Sequence, residues 1–150
     1  MTYKEKIQRA NRCNIMIQYD LLRKDNIVGI YKFFRVKGQE RYCFYIGKAT
    51  NVAFRLLGAD KGHIYMYLKE DYSKLVPLEI KKSLENGYII EVEIKEMEYK
   101  DTHFSRAAHR LALCELQEIV KYQEIGQCLL QLPEGVGKKE EQFWEKNYKV

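Results

Sequence analysis

The chain has 150 residues, 46% hydrophobic and 31% charged, with a formal net charge of +5. This length suits one domain able to bury a core, and this composition excludes a disordered polymer. No apolar run is long enough to span a bilayer, and the opening MTYKEKIQRANRC has no apolar h-region, so a cytoplasmic protein off the membrane is expected.

In chain order, residues 3–24 are predicted to be helical, because Ile7, Ala10, Ile15, Tyr19 and Leu22 recur near a helical spacing. Asp25-Asn26 breaks that pattern. Ile27 to Val36 and Arg41 to Ile46 are rich in β-branched and aromatic residues and flank the turn signal Lys37-Gly38-Gln39-Glu40, which predicts a β-hairpin. Thr50 or Asn51 can cap a helix over VAFRLL. The stretch from His63 to Asp71 fits either a strand or a buried helical turn. Pro77 opens a helix that runs to about Asn86 and stops at Gly87. Ile90, Val92 and Ile94 alternate with Glu91, Glu93 and Lys95, which marks a half-buried strand. A long helix follows, from Thr102 or Ser105 to Tyr122. The C-terminal stretch from Lys138 to Lys149 mixes basic and aromatic residues; a helix docking Phe143, Trp144 and Tyr148 on the core is expected, with DNA contact as the other reading. The order α–β–β–α–α–β–α describes an α+β domain.

Cys13, Cys43, Cys114 and Cys128 contain no C-x-x-C pair and share no zinc spacing with His63, His103 and His109; they read as reduced thiols acting as small hydrophobes. The positive charge suits a polyanionic partner. It suits a solvated surface equally, because Lys81 and Lys82 interleave with Glu79 and Glu85. Lys61, Lys69, Lys74, Lys81 and Lys82 are candidate contacts to backbone phosphates.

Three features bear on chemistry. Gly29-Ile30-Tyr31 and Tyr45-Ile46-Gly47 lie on opposite arms of the hairpin, where two phenols can either converge on a site or simply pack across the strands. Arg55, eight residues past Gly47, presents a planar fork of donors that suits a phosphate. Glu115 falls inside the apolar stripe Ala108, Leu111, Ala112, Leu116, Ile119, Tyr122. A carboxylate there loses hydration and must be paired, protonated or bound to a metal. Lys48 and Arg106 are the candidate ion-pair partners, and Glu118, one turn on, reads as a solvated neighbour or as support for a metal site.

Together, GIY at 29–31, YIG at 45–47, KATNVAFR with Arg55 and LCELQEIVKY with Glu115 resemble the GIY-YIG nuclease superfamily. Lys48 directly after YIG also matches the UvrC-type excision-repair nucleases. The resemblance covers residues 27–128 of a single domain spanning 1–150, with a helical N-terminal extension (1–26) and a C-terminal extension (129–150). It implies a small, mostly antiparallel three-stranded sheet flanked by helices. It implies hydrolysis of a DNA phosphodiester with one Mg²⁺ or Mn²⁺ ion held by Glu115. In that scheme Tyr31 is the leading base and Tyr45 its partner in positioning water, with exchange of roles open. Lys48 or Arg55 would lower a phenol's pKa, and Arg55 would stabilise the transition state. His63, beyond a Gly-flanked loop, is an accessory group or an ordinary surface or core histidine. Many members carry an asparagine beyond the glutamate; twelve residues past Glu115 this chain has Gln127, which either replaces that amide or is an unrelated loop residue. Restriction, repair and recombination roles are not separated, RNA stays open as a substrate, and a homodimer stays open as an assembly. The alternative is a module that keeps the fold without catalysis.

Overall fold

The computed structural model describes all 150 residues. The chain runs α1 (Tyr3–Arg12), β1 (Ile15–Ile17), β2 (Gly29–Lys37), β3 (Glu40–Ala49), α2 (Val52–Leu57), α3 (His63–Leu68), α4 (Leu75–Glu85), β4 (Ile89–Glu96), α5 (Phe104–Gln123) and α6 (Lys138–Asn147). No helix is long and apolar enough to cross a membrane.

The sheet has four strands, not three, in the order β1-β4-β2-β3. β2 pairs antiparallel with both β3 and β4, while β1 pairs parallel with β4, so the sheet is mixed. The extra strand comes from the segment predicted to continue the first helix. Thr2 caps α1 by accepting from the Glu5 amide, but the helix ends at Arg12 and Asn14 adopts a left-handed φ of 64°. Ile15 and Ile17 then fit a strand as well as a helix, and the free edge of β4 decides between them.

The sheet separates two apolar layers. On one face α1 to α4 enclose sixteen buried residues, including Tyr31, Phe33, Val52, Leu56, Ile64 and Ile80. On the other, α5 covers Ile30, Phe34, Cys43 and Ile46 with Leu111 and Cys114. Strand pleating explains the division: odd positions of β2 face the first layer and even positions face α5. A bulge between Phe33 and Phe34 in the β2–β3 register puts Phe44 and Tyr45 both against the first layer. All four cysteines are free, and three are buried.

β3 is the open edge of the sheet, and the segment after α5 straps it. The Cys128 amide donates to the Cys43 carbonyl, and the Cys43 amide donates to Gln127 Oε1. Gln131 takes both main-chain groups of one residue, accepting from the Ile46 amide and donating to the Ile46 carbonyl. Side-chain amides thus satisfy a strand edge that would otherwise stay unpaired. Beyond the strap α6 forms, but none of its residues is buried, so the expected docking of Phe143, Trp144 and Tyr148 on the core does not occur.

Candidate active site

Two glycines make the GIY and YIG triplets physically necessary. Gly47 stands directly opposite Tyr31, and a Cβ built there would fall inside 3.0 Å of the Tyr31 Cζ and Oη. The Tyr31 phenol therefore lies flat over a residue without a side chain. Gly29 lies against the Lys95 carbonyl, where a Cβ would collide with main chain. The first glycine makes room for the phenol; the second lets β2 close on β4.

Tyr31 is fully buried, and its oxygen sits 2.9 Å from His63 Nε2 and accepts from Arg55 Nε at 3.3 Å. Tyr45 stacks at 6.3 Å between ring centroids from Tyr31 and lies 5.5 Å from the His63 ring. The sequence predicts His63 as an accessory group or an ordinary histidine; the structure makes it the hub of the phenolic cluster, at the first position of α3. Arg55 is delivered by α2, which Asn51 caps by accepting from the Phe54 amide at 3.0 Å. The Val52 amide donates to the Ile27 carbonyl, tying α2 to the approach of β2.

Glu115 comes from the opposite layer. Its half-buried carboxylate is 3.7 Å from Lys48 Nζ, which follows Gly47 at the edge of β3. The two layers meet around that edge. Lys48, Arg55 and Leu111 line a cleft of about 340 Å³, and the negative charge of Glu115 is felt at Tyr31, Tyr45 and Arg55. Arg55 is exposed at the lip, while Tyr45, His63 and Glu115 are half-buried. Tyr31, Tyr45, His63 and Arg55 thus form one cluster, and the Lys48–Glu115 pair lies beside it, with Lys48 and Arg55 on one cleft.

The electrostatics depart from the expectation that a neighbouring cation lowers a phenol. Burial, reinforced by the nearby Tyr45, pushes the Tyr31 phenol above its usual range, and Arg55 only partly opposes this. Burial raises Tyr45 as well. His63 is pushed down to about 4, by burial first and by the Arg55 charge second, so its ring is neutral at pH 7. Burial raises the Glu115 carboxyl, with the Lys48 charge pulling the other way.

Some expected residues fall elsewhere. Gln127 spends its amide oxygen on the Cys43 main chain and bonds to none of the clustered residues. Arg106 pairs with Asp101 rather than Glu115. Glu118 is not solvated: it forms ion pairs with Lys32 at 2.9 Å and Lys95 at 3.5 Å. Three of the five candidate lysines are engaged in ion pairs, Lys69 with Asp60, Lys81 with Glu85 and Lys82 with Glu79. Glu134, exposed on the strap, also lies 3.7 Å from Lys48 Nζ; no pattern in the sequence marked it. Among known proteins, no family model, curated protein or solved structure matches this chain.

Proposed function

We propose that the chain is a metal-dependent endonuclease of GIY-YIG type that hydrolyses phosphodiester bonds in DNA. The observation that carries this reading is the bonding of one buried phenol oxygen to both His63 and Arg55, with the half-buried Glu115 carboxylate, paired to Lys48, near enough for its charge to act on them. Structural aromatics would pack without gathering a neutral imidazole, a guanidinium and an acid.

The donor set fits one kind of ion. No group of three or more His, Cys, Asp or Glu side chains is gathered to hold a metal, which argues against an all-protein cage. Glu115 offers one hard oxygen ligand, and magnesium accepts one or two carboxylates while keeping several waters. Glu115 would hold Mg²⁺ or Mn²⁺; when bound, the ion neutralises charge on the phosphate and the leaving oxygen.

The protein's own groups divide the remaining work. Arg55 donates to a non-bridging phosphate oxygen from the lip of the cleft, where its fork geometry matches the anion. Tyr31 is fully buried and stays a phenol at neutral pH; donating to His63 Nε2 and accepting from Arg55 Nε, it positions the guanidinium. Tyr45, half-buried, orients the attacking water, and the proton of that water passes to solvent. Lys48 balances Glu115 until substrate enters.

A plasmid-nicking assay with Mg²⁺ or Mn²⁺ tests the reading. The wild type is expected to nick and linearise DNA. Arg55→Ala should slow cleavage about 100- to 1000-fold, and Glu115→Ala should abolish it. Cleavage that survives both substitutions removes the site assignment. An RNA arm of the same assay settles the substrate class. The Lys48–Glu115 contact favours one second reading, a module that keeps the fold without catalysis; wild type that binds DNA but never cuts it, with either metal, would establish that.

A further inference from the structure

The helix that carries Glu115 is apolar on two sides. Its inner side, with Ala107, Leu111 and Cys114, is buried. On the outer side Leu113, Leu116 and Val120 are 55%, 49% and 51% exposed. With His109, also exposed, they recur at steps of four, three and four residues. That is the a/d spacing of a coiled-coil seam, with His109 and Leu116 at d and Leu113 and Val120 at a. Ala112 lies beside the seam in a shallow depression of about 680 Å³ that Leu113 and Leu116 also line. Its small side chain leaves a hole of the kind a partner knob fills. α6 does not cover the seam, since all its residues remain exposed.

We infer that a second copy of this chain docks here, α5 against α5 and antiparallel, to form a two-fold dimer. A two-fold axis sets one patch against itself, so the patch must be self-complementary. Leu116 and Val120 meet that condition in this register, each Leu116 lying beside Val120 of the other copy, while Leu113 faces Gln123 at the ends of the seam. The flanking charges meet it too. Arg110 and Glu124 lie on one flank of the seam, seven residues to either side of Gln117. An antiparallel pair sets Arg110 of each copy near Glu124 of the other, twice per dimer. A parallel pair offers these charges only Ser105 and Ile119. Arg110 already donates to Asp101 and to the Glu98 carbonyl, and its guanidinium keeps further N–H groups for a partner carboxylate. One helix seam is at the small end of specific interfaces, so a micromolar Kd is expected. The association stands independently of the nuclease reading. Under that reading, Glu115 beside Leu116 would give the dimer two cleavage sites related by the axis, one for each strand of a duplex.

Analytical ultracentrifugation of the full chain from about 1 to about 500 µM tests this, with circular dichroism and thermal unfolding alongside. The wild type is expected to rise from 17.9 kDa to twice that mass with concentration. Leu116→Glu should remain monomeric throughout, with an unchanged spectrum and unfolding midpoint. Glu124→Lys should weaken association about three- to tenfold. A wild type that stays monomeric overturns the proposal; if Leu116→Glu then lowers the unfolding midpoint, α6 covers the seam in cis. Dimerisation that survives Leu116→Glu overturns it as well, and indifference to Glu124→Lys overturns the antiparallel register. A dimer without nuclease activity would leave this inference standing and remove only the catalytic one.

Discussion

His63 shows at the scale of one residue how burial sets chemistry. A histidine facing two tyrosines and an arginine sits where a second positive charge is costly, so it stays neutral far below its usual range. The linkage to stability has a definite sign. Unfolded, the ring takes up a proton near 6.5; folded, only near 4. The unfolded state therefore binds more protons in that window, and stability falls as pH drops from about 6.5 to about 4, by up to ~3 kcal/mol. Glu115 acts in the opposite sense, because burial makes its folded form hold a proton more readily. Urea denaturation at several pH values should show the His63 slope in the wild type, and His63→Gln should flatten it. The same substitution disturbs the hydrogen bond that holds the Tyr31 phenol against Arg55, so cleavage should fall while the fold holds.

At the scale of elements, the six-residue helix α2 is the weak link that carries a strong group. It is too short to be stable alone and relies on its cap and its buried face, Val52, Leu56 and Leu57. Asn51→Ala removes the bond to the Phe54 amide and should cost about 1 kcal/mol of folding stability. It should also loosen Arg55, lowering kcat more than it raises KM; denaturation and steady-state kinetics on one preparation separate the two effects. The strap after α5 works similarly for β3. Gln131 holds the Ile46 peptide from outside, between the residues that supply Tyr45 and Gly47, and so steadies the strand that carries half the site.

For the molecule as a whole, the N-terminal segment is part of the body. Ala10 and Ile15 are fully buried in the layer that holds Tyr31 and Val52, and β1 covers an edge of β4. Lys6 donates to the Leu57 carbonyl at 2.5 Å and lies 3.6 Å from the centre of the Tyr65 ring, clamping α1 over α2 and α3. Deleting residues 1–26 opens that layer and frees a strand edge. The remaining chain should lose its cooperative thermal transition, bind a hydrophobic dye and cut no DNA, as circular dichroism, dye fluorescence and the nicking assay would show. A 27–150 fragment with a sharp transition would instead mark the segment as a true appendage.

The hairpin, the strand at Ile90–Ile94 and the long helix were legible in the sequence because each is set by local periodicity and turn chemistry. Val52 and Leu56, four residues apart on the buried face of α2, follow from the same local patterns, whereas the tight fit of Gly47 under Tyr31 joins two strands and needed the sheet. Ile15–Ile17 were not legible as a strand: three residues carry too little period to choose, and only the vacant edge of β4, more than seventy residues away, decided it. Likewise, the triplets, Arg55 and Glu115 could be read as separate signals, yet whether they share a cleft depended on how two layers meet at the edge of β3. The capture of His63 by Tyr31, the diversion of Gln127 to a strand edge and the exposure of α6 are long-range packing outcomes, which neighbours in sequence do not encode.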